Sequence, residues 1–371
     1  MASAPPAAVG TPLERIDTPA LVIELDAFER NLNAMTRAVE GRGVRIRAHA
    51  KTHKCAQIAL RQIDAGAVGV CCQKVSEAEA MVEGGVADVL VSNEIVGARK
   101  LERLAALARR ARVGVCADDA GNARALSEAA QGAGATLDVY VEVDVGARRC
   151  GVAPGAPALE LAREIAALPG LRFAGLQAYH GPAQHLRAMA ERRAAIAGAA
   201  AAAGQTRRLI ESEGLACPTV TGAGSGTFMF EIESGVFDEI QPGSYVFMDA
   251  DYAKNEWAAP LPRFEHALFV LATVMSRPAP ERAVLDAGLK ALAVDSGMPL
   301  VWERPGLRYA RASDEHGVIE IGAGAPPALG ERLLLVPGHC DPTVNLYDWY
   351  VGIRNNVAEE VWPVSARGAV T

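Results

Sequence analysis

The stretch RAHAKTHK, residues 47 to 54, closes a short β-prone run that starts at Arg45 and delivers Lys51 as the last side chain of a strand. A lysine there is either a solvated surface charge, the usual state of lysine, or an amine placed to condense with an aldehyde. The rest of the chain decides between them. Strand-like runs recur at Arg45 to Lys51, Gly69 to Gln73, Val89 to Asn93, Val113 to Asp118, Leu137 to Asp144, Phe173 to His180, Thr219 to Gly224 and Glu239 to Phe247. Segments rich in Ala, Leu, Arg and Glu fill the gaps with helical period, for example Ala56 to Asp64, Val75 to Glu83, Ala98 to Ala111, Ala120 to Gln131 and Pro157 to Leu168. This alternation is that of a parallel sheet, and eight strand and helix units predict an α/β chain built on a (β/α)8 barrel.

After Trp257 the texture changes to short β-rich pieces such as Ala267 to Met275, Arg282 to Asp286, Val318 to Ile321 and Glu331 to Val336, with Gly and Pro between them. A domain boundary is therefore expected near Pro260, with the barrel over 17–260 and a C-terminal all-β domain over 261–371. Residues 1–16, opening MASAPPAAVGTP, read as a flexible leader, because they contain neither a basic n-region nor a long apolar core. The early run Ala20 to Leu25 belongs either to the barrel or to the later β domain.

A chain of 371 residues suits a barrel plus a second domain. Half of it is hydrophobic but only 5% is aromatic, so Ala, Val and Leu must do the packing. A net charge of -7 leaves no electrostatic footprint for nucleic acid or an anionic membrane, and no apolar run reaches the ~18 residues of a spanning helix. The expected partner is a small molecule. Seven cysteines, an odd number lying mostly in apolar segments, do not form a disulfide framework and suit a reducing cytoplasm.

The ends of barrel strands and the loops after them form the active face of such a fold. Those ends collect Lys51, Gln73, Asn93, Asp144 with Arg148 and Arg149, Tyr179 with His180, the loop TGAGSGT at 221 to 227 that contains Gly224 and Thr227, and GSY at 243 to 245. Small residues, free backbone N–H groups and hydroxyls after strands seven and eight can cradle a phosphate, with Ser244 and Tyr245 completing it. A condensing lysine opposite a phosphate cradle describes pyridoxal phosphate. Arg149 could bond the cofactor's ring oxygen, or pair with Glu142 or Asp144. Tyr179 could stack beside the ring or simply pack in the core. His185, in YHGPAQH at 179 to 185, could reach substrate as an acid or base, whereas His49 and His53 either order the lysine loop or fill space.

PGHCDPTVNLYD at 337 to 348 carries a second signal. On an extended segment His339 and Asp341 project to the same side and Cys340 away from it. Imidazole plus carboxylate suits Mn²⁺ or Mg²⁺ with waters completing the shell, although two residues alone can equally form an ordinary His–Asp hydrogen bond.

Taken together, RAHAKTHK, CCQKVSEAEA at 71 to 80, VSNEIVG at 91 to 97, VEVDVGARRCGV at 141 to 152, GLQAYHG at 175 to 181, GSYVFMDADY at 243 to 252, LDAGLK at 285 to 290 and GHCDPTVNLYD resemble the D-threonine aldolase family, in order, from about Asp17 to Arg367. The wider group resembles the alanine-racemase type of pyridoxal phosphate fold, fold type III, and includes D-serine dehydratase and D-3-hydroxyaspartate aldolases and dehydratases. The resemblance implies a barrel joined to a β domain, a homodimer, Lys51 as the Schiff-base lysine and metal ligands at His339 and Asp341. It further implies Arg149 at the cofactor ring oxygen, His185 at the substrate hydroxyl, and Gln73, Tyr179, Thr227, Ser244 and Tyr245 lining the cofactor. The chain departs from relatives in the turn TGAGSGT and at Ala48, where they often carry proline. Dehydratase-like members tend to place a cysteine two residues beyond the histidine; Asp341 stands there in this chain. The implied activity is retro-aldol cleavage of D-3-hydroxy amino acids to glycine and an aldehyde, the alternatives being a D-3-hydroxyaspartate aldolase or a dehydratase releasing ammonia.

Overall fold

The computed structural model describes residues 4–259 and 261–371, so the expected boundary residue Pro260 and the first three residues of the leader lie outside the described residues. Strand β1 (Ala20–Glu24) comes first and is followed by the helix Leu25–Val39. Next come β2 (Arg45–His49), β3 (Gly69–Cys72), β4 (Asp88–Glu94), β5 (Arg112–Ala117), β6 (Leu137–Glu142), β7 (Leu171–Ala178), β8 (Val220–Gly222) and β9 (Glu239–Ile240). Each pairs in parallel with the next, and β9 closes the barrel on β2 through Arg45↔Glu239 and Ile46↔Ile240. Eight expected strands form eight observed ones, as a (β/α)8 barrel requires.

The helices form for the reason the sequence suggests. Ala98–Leu107 buries Leu101, Leu104, Ala105 and Leu107, a stripe spaced to lie on one face, and Ala120–Ala133 buries Ala123, Leu126, Ser127 and Ala130. Asp119 caps the latter through its side chain to Asn122 N, and Gly134 ends it in the left-handed conformation. Each fully buried Leu or Val of this shell contributes roughly 1.5–3 kcal/mol.

Several expected strands are shorter than their sequence suggests, and two of these bear on the cavity. β2 ends at His49, and Lys51 sits in a 3₁₀ turn, Ala50–Thr52, where the His49 side chain accepts from Lys51 N. The run Glu239 to Phe247 is a strand only at Glu239–Ile240, because Pro242 has no N–H for the ladder and a 3₁₀ turn, Ser244–Val246, follows.

The later domain supplies β10 (Leu268–Ala279), β11 (Arg282–Leu285), β12 (Leu300–Val301), β13 (Leu307–Ala312), β14 (Gly317–Ile321), β15 (Arg332–Val336), β16 (Trp349–Arg354) and β17 (Val357–Pro363). With β1 they make a nine-stranded sheet in which β1 lies antiparallel to β10 and parallel to β16. The ambiguous early run thus belongs to the β domain, where Leu21, Val22 and Ile23 are fully buried. The expectation of a flexible leader is corrected for its second half. Gly10 N donates to Ala358 O at 2.7 Å, Leu13 N to Asn356 O at 2.8 Å, and Ile16 is completely buried. Apolar burial and backbone pairing tie this segment to β17.

The barrel interior is polar at one end. Ile46 and Ala48 of β2 join the apolar shell, whereas Arg47 points inward and donates to Glu239 on β9 at 2.9 Å and to Asp88 on β4 at 2.6 Å. Thr221 Oγ1 also donates to Glu239 at 3.0 Å. A small apolar plug of Cys71, Leu90, Cys116, Tyr140 and Ala174 fills the rest. The Arg47–Glu239 pair spans the closing seam and both partners are buried. Arg47→Met should therefore lower stability by about 3–5 kcal/mol, as read by chemical denaturation, because it leaves the buried Glu239 carboxylate only the Thr221 hydroxyl and the more distant, half-exposed Arg45 at 3.7 Å. Adding Glu239→Leu should recover most of that loss, and a double variant no more stable than the single one would refute the account.

Candidate active site

One cavity at the C-terminal mouth of the barrel gathers side chains from both domains. Its wall includes His49, Lys51, Thr52, Gln73, Ser92, Arg149, Tyr179, His185, Ala223, Gly224, Ser225, Gly243, Ser244, Tyr252, His339 and Asp341. Lys51 Nζ lies 3.6 Å from Asp341 Oδ2, so the early amine and the late carboxylate meet across this space. Burial pulls the Lys51 amine down, but Asp341 and Tyr179 outweigh it and raise its pKa above the ordinary lysine value.

Packing between the domains holds the lysine turn in place. His53 is fully buried; its Nδ1 accepts from Cys55 N at 3.1 Å and its Nε2 faces Gln62 Oε1 at 3.1 Å. Burial lowers its pKa to about 4, so it orders the loop as a neutral ring. Tyr350 of β16 donates its hydroxyl to His53 O at 2.7 Å, and Lys54 Nζ donates to Glu77 at 2.6 Å and to the carbonyls of Ala366 and Ala369. His49 lies in the cavity wall, with Nε2 3.0 Å from Gln73 Nε2. Burial, together with Lys51, His53 and Arg149, pushes its pKa well below that of a free imidazole.

The two glycine-bearing loops approach closely. A Cβ at Gly243 would stand 2.6 Å from Thr52 Oγ1, so only glycine lets this backbone reach the lysine turn. Ala223 holds a left-handed φ of 71°, a strained conformation at the start of the Gly224–Ser225 bend. Thr52 Oγ1 is buried in the cavity wall without a hydrogen-bond partner, as is Asp341 Oδ1. Such orphaned acceptors and donors are rare in folded proteins and mark places a ligand completes. One lies beside the expected phosphate cradle and the other at the expected metal pair, so the residues present fit both groups.

The route by which His339 and Asp341 meet differs from the sequence reading. The segment is not extended throughout: His339 is the last extended residue and Asp341 lies in the first turn of a short helix, Cys340–Val344. Cys340 points into the core, fully buried. Ala250 N donates to Pro337 O at 2.9 Å and thereby seats the turn over the barrel mouth. His339 Nδ1 is paired with Asp295 Oδ2 at 2.7 Å, leaving Nε2 as its free nitrogen.

Arg149 makes the carboxylate pairing of one of its two readings, with Glu142, while lining the cavity as the other would require. It lines the cavity 5.8 Å from the Tyr179 ring centroid and lies 3.8 Å from Glu142, whose carboxyl burial and Glu94 push up to about 8. Tyr179 falls just past the end of β7, and Gln73 just past β3. Thr227 and Tyr245 are not in the wall. Thr227 Oγ1 donates to Glu231 at 2.7 Å, and Tyr245 OH accepts from Gln62, so both side chains turn into the core behind the cradle. Sequence reading missed Thr52, Ser92, Tyr252 and the carboxylates Asp251 and Asp295. Tyr252 and Asp251 stood within GSYVFMDADY, but nothing in their spacing distinguished them from packing residues. Among the described residues, no helix is long and apolar enough to cross a membrane.

Comparison with known proteins agrees with the fold. The family model "Alanine racemase, N-terminal domain" matches residues 23–251, and "Putative serine dehydratase domain" matches residues 267–353. A D-threonine aldolase of Arthrobacter sp is 52% identical over 98% of this chain and 96% of its own length. A 3-hydroxy-D-aspartate aldolase of Paracoccus denitrificans (strain Pd 1222) is 47% identical over 98% of this chain and 95% of its own. The crystal structure of D-threonine aldolase from Filomicrobium marinum superposes with a TM-score of 0.97 at 54% identity, covering 100% of both chains. With a closed barrel, a β domain and these matches along nearly its whole length, the chain belongs to the D-threonine aldolase family, a family of lyases on the alanine-racemase fold.

Proposed function

We propose that this chain cleaves D-3-hydroxy amino acids of the D-threonine type to glycine and an aldehyde, using pyridoxal 5'-phosphate and a divalent metal, Mn²⁺ or Mg²⁺. The observation that carries the reading is the 3.6 Å approach of Lys51 Nζ to Asp341 in a cavity that His339 and His185 also line. Lys51 would hold the cofactor's aldehyde carbon and yield it to the substrate amine. Gly224, Ser225, Gly243, Ser244 and Thr52 would hold the phosphate, Arg149 the ring oxygen, and Gln73 and Tyr179 the ring. His339 and Asp341 would hold the metal, with waters completing its shell. When bound, the cofactor supplies an electron sink for the breaking Cα–Cβ bond and the metal acidifies the β-hydroxyl.

The chain's own groups then have definite tasks. His185 faces the cavity and takes the β-hydroxyl proton as the carbon–carbon bond breaks. A proton delivered to Cα of glycine balances it, so no oxidant, reductant or added co-reactant is required. An imidazole–carboxylate pair without a thiolate at position 341 supports a harder ion and cleavage over elimination. Seven free cysteines, six of them buried, suit work in a reducing cytoplasm, and the family likeness suits a homodimer.

Three outcomes are expected. Incubated with D-threonine and Mn²⁺, the protein should release glycine and acetaldehyde in equal amounts; ammonia with a 2-oxo acid would instead identify a dehydratase. Lys51→Ala should lose the visible absorbance of the lysine-bound cofactor, and a spectrum that survives the change would exclude Lys51 from that role. Removing the divalent ion with a chelator, or introducing Asp341→Ala, should slow cleavage on the order of 10³-fold while leaving the cofactor spectrum in place, and added Mn²⁺ should rescue only the chelated native protein. Full activity in the stripped protein would rule out the metal's part.

A further inference from the structure

His185 stands on a short 3₁₀ turn, Gly181–His185, capped by the His180 side chain, which accepts from Ala183 N, and tied to the glycine-bearing loop by Gln184. The 251–256 segment and Arg192 add anchors on the other side. Asn255 Nδ2 donates to Gln184 O at 2.9 Å, Glu256 N donates to Arg187 O at 2.9 Å, and the fully buried Arg192 donates to the carbonyls of Leu186 and Arg187 at 2.7 and 2.8 Å. Within this frame Asp251, 6% exposed, places Oδ2 2.7 Å from His185 Nδ1. Its other oxygen, Oδ1, accepts from Arg187 Nη2 at 2.5 Å. Arg187 is itself fixed, because its Nη1 donates to Asp251 O and Asn255 Oδ1, each at 2.8 Å.

The donor and acceptor roles are then determined. Arg187 can only donate, so Asp251 must present an acceptor to it. Although burial pushes the other way, the hydrogen bonds from Arg187 and His185 hold the Asp251 carboxyl below the usual range, and it remains an ionised acceptor on both sides. The neutral His185 ring that faces this carboxylate therefore carries its proton on Nδ1, and Nε2 keeps the lone pair. The ring lies against Tyr252 at 5.6 Å between centroids, and both rings line the cavity.

We propose that Asp251, oriented by Arg187, is the positioning residue that sets the His185 tautomer and makes Nε2 the proton acceptor of the cleavage step. The proposal rests on the retro-aldol reading and deepens it. In the step, the substrate O–H bond breaks and an Nε2–H bond forms. The positive charge of the imidazolium is stabilised by Asp251, which does not itself take the proton. Water later removes that proton, since the His185 side chain is 53% exposed.

Asp251→Asn tests this with almost no change of shape. Arg187 would hold the amide oxygen, so the amide nitrogen would face His185 Nδ1 and donate to it. That arrangement forces the ring proton onto Nε2 and removes the acceptor. The expected result with D-threonine and Mn²⁺ is a kcat lower on the order of 10²- to 10⁴-fold, KM within a few-fold, and an unchanged cofactor absorbance. Nitrogen-15 spectra of His185 should show the protonated nitrogen switching from Nδ1 in the native protein to Nε2 in the variant. A native kcat in the variant, an unchanged tautomer despite lost activity, or native protein already protonated on Nε2 would each overturn the proposal. If the native protein yields ammonia rather than glycine, the aldolase reading fails, and the tautomer spectra still decide the role of Asp251 separately.

Discussion

An ammonium and a carboxylate 3.6 Å apart, contributed by the first barrel turn and by the β domain, organise everything else in this molecule. Neither domain encloses the cavity alone. The barrel supplies Lys51, Arg149, Tyr179, His185 and the glycine-bearing loops, and the later domain lowers one strand-to-helix turn onto the mouth. That geometry requires the domains to be locked, which explains why so many buried contacts run between them. Tyr350 of β16 grips the lysine turn, the C-terminal carbonyls of Ala366 and Ala369 receive Lys54, and β1, first in the chain, is woven into the last sheet.

The fold was legible because its signal is periodic. Helical stripes and strand runs repeat along the barrel, and each depends only on near neighbours in sequence. The errors fell where local pattern and tertiary demand diverge. The run after Glu239 is β-prone, yet Pro242 cannot join the ladder and Gly243 must pass within reach of Thr52, so the strand stops at Ile240. The leader has loop composition, yet Ile16 finds an apolar place under the sheet and the backbone before it pairs with the 356–358 turn and strand.

The site was legible to the extent that its residues lie at strand ends. Lys51, Gln73, Arg149 and Tyr179 could be placed by counting along the barrel. Thr227 and Tyr245 could not be separated from Gly224 and Ser244, because which side of a glycine-rich turn a side chain takes depends on what packs behind it. Here Glu231 and Gln62 draw them inward. Glu231 is itself buried, with its carboxyl pushed up to about 8 by loss of water, so the wall behind the cradle can be uncharged without leaving the Thr227 hydroxyl unbonded.

The carboxylates that aim the histidines were the least visible of all. His185 and Asp251 are 66 residues apart, and His339 and Asp295 are 44 apart, yet both pairs close at 2.7 Å through Nδ1. On the proposed reading, one device would serve two tasks. A carboxylate that accepts from Nδ1–H leaves Nε2 with its lone pair, and a lone pair can take either a proton or a metal ion. What distinguishes the two histidines is their surroundings. His339 has Asp341 beside it, with one carboxylate oxygen buried and unpartnered, which suits a cation. His185 has an aromatic ring beside it and an Asp251 whose remaining oxygen is already occupied by Arg187, which leaves no second anionic ligand to offer. On the proposed reading, the same imidazole chemistry would be directed to a metal in one place and to a proton in the other by what surrounds each ring.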